Sequence, residues 1–256
     1  LPVRLDHGRV RLANSVATGL GRMGISPGNA AHERIVRPVL RGARFLARRA
    51  ASRPRPRPTA PREDETAAEA AGFRQRRAEM VRLANAHCHA VLCVSERTAE
   101  VARGHGVRPD LLRVSYIGTD HADRYARTPP TQGLLAEDGT LRLAYLGYMR
   151  RDKGFYFLLD ALEALPAESL CRLDLLFAAA GREPGALARM DRLRARCAGL
   201  RHVDGYDRDG MDDLLAGEGL GVVPPLWEDA LPLVAIEMLA RRIPLLCCDR
   251  GGAREL

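Results

Sequence analysis

Asp229 and Glu237 stand eight residues apart in the stretch "WEDALPLVAIEML", residues 227–239. Proline suits the first position of a helix. A helix opening near Pro232 would therefore carry Glu237 and leave Asp229 just before it, both within reach of one rim. The two oxygens of a carboxylate can accept two hydroxyl hydrogens at once, which is what adjacent sugar hydroxyls ask for. The plainer reading makes Asp229 a cap and Glu237 an exposed helical residue. Val234, Ile236, Met238 and Leu239 weigh against it, because they put Glu237 in an apolar helix, where a carboxylate needs a partner.

A second group is "LGYMRRDKG", residues 146–154, with Arg150, Arg151 and Lys153 between Gly147 and Gly154. Read as a strand end, a basic loop and a helix start, it offers free N–H groups and positive charge to a phosphate. A cation there would stabilise a departing diphosphate. A solvated basic loop is the competing reading. Two other motifs carry less. "GLGRMG", residues 19–24, matches a dinucleotide fingerprint in letters only, because no buried strand precedes it and "ISPGN" breaks a helix after it. "HCH", residues 87–89, points adjacent side chains in different directions and so makes a poor metal site.

These residues need a scaffold. From Leu141 onward, strand-like runs ("LRLAYLG", "RLDLLFAAAG", "RHVDGY", "GLGVVPP", "PLLCCD") alternate with helix-like ones ("GFYFLLDALEAL", "GALARMDRLRARCA", "GMDDLLAGE", "PLVAIEMLARR"). Such alternation predicts an α/β fold with a parallel sheet and right-handed crossovers. Ligands of such sheets lie beyond the carboxyl ends of the strands. That rim would hold residues 147–154, 181–185, 205–207, 224–232 and 249–252.

Upstream, a helix near 68–86, a strand at 90–95, a helix N-capped by Ser95 and a strand at 111–118 are expected. Residues 31–50 read as a basic amphipathic helix. The Arg-Pro alternation in residues 51–66 reads as an extended, mobile segment. The domain division is 1–122, a linker at 123–140, and 141–256.

The chain has 256 residues, 46% apolar and 28% charged, enough for a substantial core and unlike a disordered chain. No apolar run is long enough to span a bilayer, and six scattered cysteines without CxxC spacing fit a reducing cytoplasm. The net charge of +8 favours anionic partners: nucleotide phosphates, nucleic acid or an anionic membrane face. A basic nucleic-acid-binding protein using the Arg-rich N-terminal half is the alternative function. Its weakness is an aromatic content of 5%, little for base stacking.

The ordered set "YLGYMRRDKG", then "VDGYDRDG" through "LWEDALPLVAIEMLARRIPLL", then "CDRGGAREL" resembles the donor domain of the retaining family 4 glycosyltransferases of the GT-B fold. "AVLCVSERTAEVARGHGV" and "LRVSYIGTD" resemble the end of that family's first domain, so the likeness covers about residues 75–256. It implies transfer of a sugar from a nucleotide-sugar to an acceptor hydroxyl with retention and no required metal or other cofactor. A setting in cell-surface polysaccharide or glycolipid synthesis goes with it, on a carbohydrate or lipid-linked acceptor, in the cytoplasm or at the inner face of the plasma membrane.

Residue by residue, the resemblance makes Lys153 the lysine on the donor phosphates and Asp229 the first acid of E-x7-E, on the sugar. Both are the expected catalytic residues. Glu237 is the second acid, on the ribose hydroxyls. Gly147, Arg150 and Arg151 line the donor site, the backbone near Leu231, Leu233 and Val234 approaches the diphosphate, and Tyr206 stands near the base. The register pairs Asp229, not Glu228, with Glu237.

Four departures stand out. Tyr148 replaces an arginine, with Arg150 or Arg151 the nearest substitute. Asp229 is shorter than glutamate, Ile117 replaces an asparagine, and Arg242 replaces a helix-ending glycine. The family's glycine-rich loop and histidine of the first domain find no match, so a fragment with little transferase activity of its own is expected.

Overall fold

The computed structural model describes residues 63–117, 121–129 and 134–256. They divide into two compact units, a smaller one up to residue 117 and a larger one holding nearly everything from residue 121 on. The expected helix at 31–50, most of the Arg-Pro segment and the "GLGRMG" motif lie outside the described residues.

The smaller unit runs α1 (Glu63–His87), β1 (Val91–Cys93), α2 (Glu96–Gly104), a 3-10 turn (Pro109–Leu111) and β2 (Leu112–Val114). The two strands pair in parallel, Val91 opposite Leu112. Ser95 caps α2 as expected, its Oγ accepting the Thr98 N–H at 3.1 Å. Cys93, Ala99, Val107 and Leu112 form the small core. Helix α1 starts at Glu63 rather than near 68, so residues 63–66, read as part of the extended segment, are helical. "EDETAAEAA" is rich in helix formers, and that propensity prevails over the polarity that suggested a loop.

The larger unit runs α3 (His121–Arg127), β3 (Leu141–Tyr148), α4 (Phe155–Glu163), α5 (Ala167–Leu170), β4 (Leu173–Ala180), α6 (Pro184–Arg194), β5 (Gly199–Val203), α7 (Met211–Leu214), β6 (Leu220–Val223), α8 (Leu233–Ala240), β7 (Leu245–Cys247) and a 3-10 turn (Gly251–Glu255). All five strands are parallel, in the order β5-β4-β3-β6-β7. The order reverses between β3 and β6, and a crevice at such a reversal is where open α/β sheets bind ligands.

Strands β3 and β4 are buried on both faces, which explains their nearly unbroken apolar sequences. Alternation of the side chains sorts them into two cores. Leu143, Tyr145, Leu175 and Phe177 pack with α4 and α6 on one face. Ala144, Leu146, Leu176 and Ala178 pack with Met211, Ala235 and Met238 on the other. Phe155, fully buried, meets Tyr145 and Phe177 at ring-centroid distances of 5.6 and 5.8 Å, in the tilted and edge-on geometries aromatic rings favour.

The span 123–140 is not only a linker. Helix α3 occupies its start and docks on the larger unit. The Arg242 guanidinium lies 4.0 Å from the Tyr125 ring centroid and its Nε donates to the Tyr125 carbonyl at 3.2 Å. Arg124 pairs with Asp212. Polar residues make these contacts, so hydrophobic periodicity gave no sign of them. Arg242 has φ 58°, the one non-glycine with positive φ among the described residues. This is the left-handed conformation expected where a glycine is usual.

Candidate functional site

The loop after β3 and the loop after β6 meet at the reversal point. Gly154, with φ 76°, sits so close to Pro224 that a Cβ would lie 1.8 Å from the Pro224 carbonyl oxygen. The Leu226 N–H donates to the Asp152 carbonyl at 2.8 Å. Glycine at 154 thus lets one loop lie against the other, besides supplying the left-handed turn that opens α4.

That contact brings Lys153 and Asp229 together. Lys153 Nζ donates to Asp229 Oδ2 at 2.9 Å. The same ammonium lies 4.8 Å from the centroid of the Trp227 ring. Asp229 is buried, at 8% exposure, while Trp227 is nearly half exposed. The backbone around Asp229 is pinned from behind. Its carbonyl accepts the Gly252 N–H at 2.8 Å, and a Cβ on Gly251 would lie 1.9 Å from its oxygen. Glu228 is not idle either, because its Oε2 accepts the Gly251 N–H at 3.2 Å and ties the loop after β7 to the loop after β6. Register alone assigns Glu228 no such part.

Glu237 lies on α8, buried at 6% exposure. Burial first, then the Glu237 charge and then Tyr148, push the Tyr206 phenol up to about 12. Arg241 holds the end of this helix, donating to the Glu237 carbonyl at 2.8 Å and to Asp212 Oδ1 at 2.8 Å. At the other end, Pro232 is the N-cap, with no side-chain hydrogen bond. Leu233 and Val234 contribute the first N–H groups of the helix, which have no acceptor within it. Leu231 is buried just before the turn.

The remaining basic residues are held locally. Arg150 chelates Asp152 through Nε and Nη2, both at 2.9 Å. The Arg151 guanidinium lies 5.7 Å from the Tyr156 ring centroid. Gly147, the last residue but one of β3, has φ 152° and lies next to the Tyr145 hydroxyl, which donates to the Tyr148 carbonyl at 2.9 Å. Tyr148, where an arginine was looked for, is more than half exposed. So the sequence-derived set divides. Lys153 and Asp229 are in direct contact, Tyr206 packs against the core that includes Ala235 and Met238 of α8, and Arg150 and Arg151 are engaged on their own loop and helix. Trp227 was missed, although its place two residues before Asp229 was a usable signal.

The arrangement has the parts for binding a diphosphate with sugars at either end: an ammonium, unpaired helix N–H groups, and two acids. No helix among the described residues is long and apolar enough to cross a membrane.

No curated protein matches the chain. Among solved structures, Anabaena Alr3699/HepE in complex with UDP and glucose is similar with TM-score 0.54 at 19% identity, over 71% of this chain and 50% of that one. An α,α-trehalose-phosphate synthase (UDP-forming) from Burkholderia vietnamiensis is similar with TM-score 0.53 at 14% identity, over 69% of this chain and 49% of that one. The lipopolysaccharide outer core galactosyltransferase WaaB, in apo form, gives TM-score 0.51 at 15% identity, over 65% and 45%. The chain spans about half the length of these proteins. The fold is accordingly α/β of the GT-B kind, its larger unit a Rossmann-like domain, and residues 140–256 match the family model of the glycosyl transferases group 1.

Proposed function

We propose that the larger unit binds the nucleotide-sugar donor of a retaining, family 4 glycosyltransferase. The observation that carries the reading is the meeting of Lys153 with Asp229, beside the α8 N-terminus, at the point where the strand order reverses. The match of residues 140–256 to the glycosyl transferases group 1 supports it.

In this reading the donor diphosphate lies between Lys153 and the N–H groups of Leu233 and Val234. As the bond from the sugar C1 to the diphosphate oxygen breaks, negative charge grows on that oxygen. The ammonium and the helix terminus stabilise it there without a metal ion. Glu237 accepts hydrogen bonds from the ribose hydroxyls. Tyr206 stands at the base end. An acceptor hydroxyl, carbohydrate or lipid-linked, takes the sugar with retention. Synthesis of cell-surface polysaccharide or glycolipid on the cytoplasmic side of the membrane is the setting proposed for it.

The test is calorimetric titration of the chain with UDP, GDP and ADP and their glucose conjugates. One nucleotide should bind, and Lys153→Ala and Glu237→Ala should each weaken it at least about tenfold, the loss of one charge-assisted contact. UDP is the first to try, since a protein of like fold holds it. If none of the six binds, the reading is wrong.

A further inference from the structure

We infer that Asp229 and Trp227 form a clamp that positions Lys153, and that Asp229 acts on the donor through this lysine rather than by touching the transferred sugar. The inference rests on the donor-site reading above. It departs from the role that resemblance alone gives to the acid at this position.

Two observations carry it. Asp229 Oδ2 already receives the Lys153 ammonium at 2.9 Å, and the residue is buried at 8% exposure. Its backbone has no slack with which to swing the carboxylate outward. The Asp229 carbonyl is bonded to the Gly252 N–H, its own N–H donates to the Trp227 carbonyl at 3.0 Å, and Gly251 leaves no room behind it.

Trp227 closes the other side. Its ring lies 4.8 Å from the same ammonium, a distance at which the face of an indole attracts a cation. A lysine side chain is long and has many rotamers, so a free one loses much of its binding strength to ordering. Held between a carboxylate and an indole, Lys153 meets the diphosphate already placed. One N–H is spent on Asp229 and the other two remain for phosphate oxygens.

The experiment is a double-mutant cycle read on two ligands. Dissociation constants are measured for the best-binding nucleoside diphosphate among UDP, GDP and ADP, and for its glucose conjugate. The proteins are the wild-type chain, Asp229→Ala, Lys153→Ala and the double variant. The expected result is that Asp229→Ala shifts both constants by the same factor, at least about threefold. In the Lys153→Ala background, Asp229→Ala should change neither by more than about twofold. Trp227→Ala should also shift both ligands equally, with Trp227→Phe restoring at least half of the effect. A loss confined to the sugar conjugate, a loss that persists without Lys153, or no shift on either ligand overturns the inference. Thermal unfolding of each variant identifies any that has lost its fold, and Asp229→Asn then takes the place of alanine, read on the same ratio. Failure of the wild-type chain to bind any of the ligands would instead remove the donor-site reading, and this inference with it.

Discussion

Glu218 offers a test of how this fold handles a buried charge. It lies just before β6, at the end of the sheet opposite Lys153, and lines a cavity of about 210 Å³ with Leu134, Arg142, Gly219 and Arg241. Its side chain is 7% exposed, the Arg201 guanidinium stands 3.6 Å from Oε1, and Oε2 is buried with no hydrogen-bond partner. Burial therefore raises its pKa from the ordinary 4.5 to about 7, with Asp174 adding to the rise and Arg201 and Arg142 opposing it. The sign follows from proton counting. Between these two values the unfolded chain releases the proton while the folded chain keeps it, so stability falls as pH rises through the window and levels off above about 7.

At about 1.36 kcal/mol per pH unit, the whole window is worth about 3 kcal/mol, most of it between pH 5 and pH 8. Glu218→Gln keeps the shape and removes the titration. Urea unfolding followed by Trp227, the chain's one tryptophan and part of the same unit, gives the stability of each protein at both pH values. The variant should gain about 2–3 kcal/mol on the wild type between pH 5 and pH 8, since all other titrating groups cancel in the comparison. A gain below about 1 kcal/mol, or a change of opposite sign, would refute the assignment of that proton to Glu218.

Gly154→Ala should destabilise the larger unit by about 2–4 kcal/mol, because the new Cβ collides with the Pro224 carbonyl and the residue keeps a left-handed backbone; urea unfolding measures it. Nucleotide titration of the same variant should show weaker binding, since the two loops that present Lys153 and Asp229 are forced apart. Arg242→Gly should leave stability within about 1 kcal/mol of wild type, relief at φ 58° offsetting the lost contacts with Tyr125. Arg242→Ala keeps the strain and loses those contacts, and should cost about 1–2 kcal/mol in the same assay. Phe155→Ala removes a fully buried ring that packs on Tyr145 and Phe177 and should cost about 3–5 kcal/mol.

Much of the scaffold was legible in the chain itself. Strands β4, β6 and β7 fall within the runs that announced them, β3 runs one residue past its own, and β5 starts two residues before its own; β3 and β4 were the plainest, because a strand buried on both faces must be apolar throughout. Ser95 as a cap was equally local, set by one residue's own chemistry, whereas the left-handed backbone at Arg242 runs against what arginine prefers and is imposed by the fold. Helix α3 was not legible, since its docking relies on Arg124, Arg242 and Tyr125 finding partners more than eighty residues away. The part played by Glu228 was hidden for the same reason: the N–H it holds belongs to Gly251.

The candidate site divides along the same line. Residue types and spacing determined that a lysine, two acids and a helix start would share one rim, because strand polarity sends every such loop to the same end of a parallel sheet. Only the tertiary structure decided which of them touch. It put Lys153 on Asp229 and against Trp227, and Arg150 on Asp152. Those pairings depend on the strand order, which sets β3 beside β6, and on the bare backbone of Gly154, which lets their loops close together. Strand order is a property of the packed sheet, and no stretch of sequence carries it alone.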